Sequence, residues 1–288
     1  MHARLSGIEY EFKLFYLFTR SNLLIGVPPA LLMSLSAMVR EAGVARTWAV
    51  PEVVVFACFA IYVSDLSQQL TGIEEDRHNK PRRPLPAALV NPDRARRRLL
   101  FSVFALLLVS IPAGVILQAL SWLLLSWLND HMGLARNVLA KPVVVGFQAV
   151  VQLTAAWQIT APMQPAVFGW IILTGVVLAL LMPLQDLRDI PGDLACGRRT
   201  LPIRLGQRAA RSYLCVAFIA APVIIYFVGW RLGASRLALL AFAAVQALMS
   251  VAVCVRLRGP INYRKDHVTY TVLVYWYMSM AVAPMLIF

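Results

Sequence analysis

The chain has 288 residues, 60% hydrophobic and only 14% charged, with a mean hydropathy of +0.69 and a formal net charge of +13. A soluble domain carries about 25% charged residues, so this composition excludes water as the main solvent and points to lipid. The basic residues lie between apolar stretches rather than in one patch, which favours basic loops beside a membrane over nucleic-acid binding.

Glu9, Glu11, Lys13 and Arg20 precede the first apolar run, and no small-residue site closes it, so no cleavable signal peptide is expected. A helix needs roughly 20 mostly apolar residues to cross the hydrocarbon core. Nine spans are read, at residues 22–38, 51–72, 99–116, 118–128, 138–160, 165–186, 210–230, 235–256 and 268–288. The fourth is short and draws on Asn129 to Leu134 to complete a crossing. Cys58, Cys215 and Cys254 sit in apolar runs and Cys196 in a loop, so neither a thiolate metal site nor a disulfide framework is expected.

Loop charge bears on that count independently of hydropathy. With a cytoplasmic N-terminus, one side collects 23 of the 27 Lys and Arg, leaving Arg40, Arg46, Arg231 and Arg236 for the other. Dropping one central span would scramble this skew. Nine spans then place the C-terminus, Phe288, opposite the N-terminus. An open sheet leaves backbone groups unsatisfied in lipid, and a barrel would read as short alternating segments. The expectation is an all-α integral membrane protein, a nine-helix bundle around a central cavity. No linker or second composition regime divides it, so residues 1–288 read as one transmembrane domain, with motif loops at about 65–98 and 185–211.

Seven of the 14 Asp and Glu fall in two short windows: Asp65, Glu74, Glu75 and Asp76, then Asp186, Asp189 and Asp193. Both lie at cytoplasmic ends of spans. An acid inside the membrane costs roughly 2.5–3.5 kcal/mol, so acids kept there have a partner or a function. Asp186, Asp189 and Asp193 follow a three-and-four rhythm that puts them on one helix face. Asp65, Gln68, Gly72 and Asp76 follow the same rhythm, and Gly72 allows a turn that aims Glu75 and Asp76 inward. The alternative is that these acids merely pair with the Arg-rich loops beside them.

The windows offer oxygen ligands only, with no His or Cys at ligand spacing, which suits Mg2+. Two such clusters facing each other can hold a diphosphate through Mg2+. Lys80, Arg83, Arg198 and Arg199 are the expected contacts to free phosphate oxygens. Metal ions neutralise the charge that develops on a departing diphosphate as its C–O bond breaks.

The stretch Glu75-Asp76-Arg77-His78-Asn79-Lys80-Pro81-Arg82-Arg83-Pro84-Leu85-Pro86 resembles the first signature of the UbiA superfamily of intramembrane prenyltransferases. Asp186-Leu187-Arg188-Asp189-Ile190-Pro191-Gly192-Asp193, followed by Gly197-Arg198-Arg199-Thr200-Leu201-Pro202, resembles its second. Thr19-Arg20-Ser21-Asn22, opening the first span, fits as well, and Asn22 is expected near the cavity mouth. The resemblance implies a helical bundle with a cavity open to lipid, in which Mg2+ and an isoprenyl diphosphate bind and an allylic cation forms. Carried over by position, it implies Asp189 and Asp193 as Mg2+ ligands, Asp76 as the last acid of the first motif, and Lys80 and Arg83 facing the diphosphate.

The first motif departs from the family pattern: Gln68 and Gly72 stand where Asn and Asp are usual, and Glu75 accompanies Asp76. This altered form is similar to the UbiA-type terpene cyclases, in which ionisation is followed by ring closure. The resemblance therefore implies Glu75, Asp76, Asp189 and Asp193 as catalytic acids, with Gln68 and Asp186 completing the metal and substrate set.

Aromatic faces stabilise cations, which makes Trp157, Tyr270, Trp276 and Tyr277 candidates for the cavity wall. Core filling or interfacial anchoring is the competing role. Asp266 reads as a helix cap, and His78 as a loop histidine near phosphate. Two enzymatic readings stand: cyclisation of a farnesyl- or geranylgeranyl-type diphosphate, and prenyl transfer to an aromatic or other lipophilic acceptor. A transporter is disfavoured, because the acids cluster at one membrane face and no internal repeat is evident.

Overall fold

A computed structural model describes residues 7–288; Arg4, counted above among the basic loop residues, lies outside them. A short helix α1 (Gly7–Thr19) leads into α2 (Leu23–Arg40), α3 (Ala49–Thr71) and a small α4 (Ile73–Asn79). Then follow α5 (Pro92–Ser110), α6 (Ile116–His131), α7 (Ala140–Thr160), α8 (Pro165–Leu181) and α9 (Leu184–Ala195). A one-turn α10 (Leu201–Leu205) precedes α11 (Gln207–Arg231), α12 (Arg236–Arg258), α13 (Tyr263–Val282) and a terminal α14 (Pro284–Ile287). No strand occurs among the described residues.

Local chemistry sets several of these ends. Asn91 accepts from the Arg94 amide at 2.9 Å with Pro92 at the first helical position, and Asn262 accepts from Arg264 and Lys265. Gly133 and Gly206, before α7 and α11, take positive φ values that a β-carbon would strain.

The nine expected spans each fall on helices, and these differ in how far each one by itself meets the length and apolarity of a crossing. Five helices (α2, α3, α7, α11 and α12) are individually long and apolar enough to cross a membrane. A sixth candidate is α8 with α9, which bend by 43° where one straight span to residue 186 was expected. At 16 residues α6 reaches only about 24 Å. The first turns of α5 carry Asp93, Arg94, Arg96, Arg97 and Arg98, and α13 opens on Arg264, Lys265 and Asp266.

Small residues and buried polar bonds join the helices, as expected where lipid offers no hydrophobic drive between them. A β-carbon built on Gly146 of α7 would stand 2.6 Å from the Gly175 carbonyl of α8, and the reverse is equally tight. The Trp170 indole donates to the Met280 carbonyl at 2.9 Å, Trp122 to Ala60 at 2.7 Å, and the Gln152 amide to Gly26 at 2.7 Å. The outer faces carry exposed Leu100, Phe101, Phe104, Val216, Leu237 and Leu248, which fits a lipid environment. A smaller cluster of Leu14, Phe18, Tyr62, Leu66, Leu85, Val90 and Ala95 packs α1 against α3 and the loop after α4.

Candidate active site

Helix α3 ends at Thr71, and the Gly72 amide closes its last turn on the Gln68 carbonyl at 2.9 Å. The backbone restarts at once as α4, which carries Glu75 and Asp76 to a cavity of about 740 Å³. The turn expected at Gly72 is therefore present. Its φ of −115° is ordinary, so close approach, not a left-handed conformation, marks the position.

Arg83 grips Asp76 with one nitrogen, 3.1 and 2.8 Å from the two carboxylate oxygens. The same guanidinium lies 3.8 Å from Asp65, which also accepts from the Asn22 amide at 2.5 Å. Arg83 Nε and Nη2 are buried and make no hydrogen bond. Lys80 lines the same cavity. Burial and the Arg83 charge push its ammonium below the usual lysine range, against the pull of Asp189 and Asp76.

On the opposite wall α9 carries Asp186, Asp189 and Asp193. Asp189 lines the cavity, with Arg188 3.4 Å away. Asp186 pairs with Lys141 of α7 at 2.5 Å and Asp193 lies 3.8 Å from Arg198; both acids are buried behind the lining. Gly197, at φ +66°, ends α9 in a Schellman turn: its amide bonds to the Leu194 carbonyl and the Arg198 amide to the Asp193 carbonyl. That turn fixes Arg198 beside Asp193, and its guanidinium also pairs with Glu75 across the cavity.

The two acidic windows thus face one cavity, and α4 packs on α9. Each motif acid named above has a basic neighbour, the arrangement sequence reading set against metal binding. Among the described residues no three His, Cys, Asp or Glu side chains form a ready metal cage. Mg2+ does not require one, since it binds through one or two carboxylates, waters and substrate phosphates. The donors are all oxygen, and Asp193 Oδ2 and Asp65 Oδ2 are buried without a hydrogen-bond partner. The residues fit that ion.

Asn22, Gln68, Glu75, Asp76, Lys80, Arg83, Asp189, Arg198 and Tyr270 line the cavity. Trp157, Arg199 and Trp276 do not. Trp157 is fully buried and donates to the Pro162 carbonyl at 3.0 Å where α7 ends, so it fills the core. Arg199 is exposed. Tyr270 has one ring face covered by the Arg188 guanidinium, 4.2 Å from its centroid, while Tyr277 lines the cavity two turns further along α13. Asp266 pairs with Arg211 at 2.6 Å instead of capping α13, a role Asn262 takes. Sequence reading passed over Asn129, Asp130, Lys141, Gln148 and Gln152, which line the cavity from α6 and α7. A lone lysine opening an apolar span was the one local signal among them.

Fold and site together define an integral membrane helical bundle whose cavity is charged at one end and bounded by Ile25, Ile61, Trp122 and Leu178 elsewhere. The chain belongs to the UbiA prenyltransferase family, which it matches over residues 27–284, and it is an enzyme of the terpene cyclase or prenyltransferase kind. It is 35% identical to somaliensene A/B synthase of Streptomyces somaliensis, over 93% of this chain and 90% of that one. Diterpene cyclase eriG of Hericium erinaceus is 33% identical, over 75% and 69% of the two chains. Polyprenyl transferase eriF of the same fungus is 30% identical, over 87% and 83%. The fold matches a UbiA homolog from Archaeoglobus fulgidus solved with GPP and Mg2+, with a TM-score of 0.70 at 13% identity, covering 94% and 99% of the chains.

Proposed function

We propose that this protein is a Mg2+-dependent intramembrane terpene cyclase acting on a farnesyl- or geranylgeranyl-type diphosphate. The observation that carries this reading is the meeting of both acidic windows across one cavity, with Arg83 donors that make no hydrogen bond. Similarity to a somaliensene synthase and a diterpene cyclase supports ring closure over transfer. The GPP and Mg2+ bound by the Archaeoglobus homolog support the substrate class and the ion.

Gln68, Glu75, Asp76, Asp186, Asp189 and Asp193 are the residues that would hold Mg2+, which when bound neutralises charge developing on the leaving diphosphate. Arg83 Nε and Nη2 donate to phosphate oxygens, and Lys80 and Arg198 add charge beside them. The C–O bond breaks with its electron pair leaving on the diphosphate. The allylic cation closes on a double bond of its own chain and loses a proton. Trp122, Ile61 and Leu178 keep water away from it, and the Tyr277 ring presents a π-face.

The motif-bearing, basic end of the bundle faces the cytoplasm in this proposal, with nine crossings and Phe288 opposite, because the Lys and Arg excess lies at that end. Incubating the detergent-solubilised protein with farnesyl or geranylgeranyl diphosphate, with and without a lipophilic aromatic acceptor, tests the reaction. Cyclic hydrocarbon formed without acceptor is the expected result. Product found only with acceptor replaces cyclisation by prenyl transfer, the activity that the name of the eriF relative suggests.

A further inference from the structure

Outside both acidic windows, a polar pair on the cavity wall keeps one oxygen of each side chain without a hydrogen-bond partner. Asn129 and Asp130 close α6, and both line the cavity. The Asn129 amide nitrogen donates to Asp130 Oδ1 at 2.8 Å, which settles the amide orientation and leaves its carbonyl oxygen free. Asn129 is only 7% exposed, yet neither its Oδ1 nor Asp130 Oδ2 has a hydrogen-bond partner. Buried acceptors left unmade cost free energy, and a charged one costs more.

Both free atoms are acceptors, so their complement is a donor or a cation. Arg198, whose charge reaches Asp130, is already engaged by Glu75 and lies beside Asp193. From α3 the Ser67 hydroxyl bonds to the Asp130 carboxylate and adds no charge, and His131 follows that acid at the end of α6. A neutral carbonyl oxygen next to a carboxylate oxygen suits a hard divalent cation that keeps part of its water shell. We propose that Asn129 and Asp130 form a divalent-cation station of this cavity, supplied by α6 and contained in neither acidic window. It rests on the diphosphate reading above, since substrate phosphate completes the coordination.

Mn2+ uptake by the full chain in detergent, followed by electron paramagnetic resonance with and without inorganic diphosphate, tests it. Asp130→Asn is expected to weaken diphosphate-dependent Mn2+ binding about tenfold or more, and Asp130→Glu to retain it. Asn129→Ala weakens it in the same direction, through loss of the carbonyl ligand and of the bond that orients Asp130. The metal-free melting temperature of Asp130→Asn is expected to stay near the parent's, because the replacement keeps the side chain's shape. Its rise on adding Mn2+ shrinks. Parent-like Mn2+ affinity in both Asp130→Asn and Asn129→Ala, alongside weakened binding in Asp189→Asn, overturns the station alone. Absence of diphosphate-dependent Mn2+ binding in the parent overturns the reading of the whole site, and the station with it.

Discussion

Arg198, fixed just beyond α9 by the Gly197 turn, reaches across the cavity to the carboxylate of Glu75 on α4. One guanidinium therefore joins two acidic segments more than 100 residues apart in sequence. Its planar fork serves Glu75 and Asp193 together, and the same fork matches phosphate oxygens. It holds the two acids in place, and in the proposed reaction it would turn to the diphosphate as Mg2+ compensates them.

Replacing Arg198 by Ala leaves Glu75 and Asp193 without that partner. A loss of about 1–3 kcal/mol in stability is expected, below the figure for fully buried pairs because the side chain is partly exposed. Arg198→Lys should recover charge but not the two-sided geometry. Melting curves in detergent and KM for the diphosphate report these effects; parent values in Arg198→Ala would remove the bridging role.

Asp189→Asn and Asp193→Asn each remove one carboxylate charge that the proposed site assigns to Mg2+, with little change in volume. Activity should fall by at least about 100-fold while the melting temperature and membrane insertion stay near the parent's. Near-normal turnover in both variants would withdraw their assignment.

Gly175 and Gly146 let α7 and α8 touch backbone to backbone. Gly175→Ala places a β-carbon 2.6 Å from the Gly146 carbonyl oxygen and 2.4 Å from Val150, with an expected cost of about 1–3 kcal/mol. Gly43→Ala, where nothing stands within 4 Å, is the control and should lie within about 0.5 kcal/mol of the parent. Equal melting temperatures for the two would contradict the close helix approach.

Cys196 is exposed at the end of α9, whereas Cys215 and Cys254 are buried and Cys58 is partly so. A membrane-impermeant maleimide should label it from the motif-bearing side only. In intact cells labelling is expected to be negligible, and in inside-out vesicles strong. The opposite pattern reverses the proposed orientation.

Much of this was legible in the sequence. Composition alone demanded a helical membrane protein, because backbone groups must be satisfied without water. The spacing of Asp186, Asp189 and Asp193 put them on one helix, and α9 carries all three. Gly72 marked the break between α3 and α4. Each of these depends on neighbours a few residues away.

Other features were not legible, because they depend on contacts between distant segments. Hydropathy cannot register the 43° bend that separates α9 from α8. An aromatic residue reads the same whether it fills a core, as Trp157 does, or lines a cavity, as Tyr277 does. Lys141 counted only as one of the basic loop residues until folding set it against Asp186, and nothing in the sequence marked Asp130, at the end of the short fourth span, as a cavity residue. By itself the sequence determined the lipid solvent, the helical class and the two acidic windows, since periodicity and burial cost are local properties. Only the tertiary structure decided which cation meets which acid and which side chains bound the cavity, because those pairings arise where helices distant in sequence pack together.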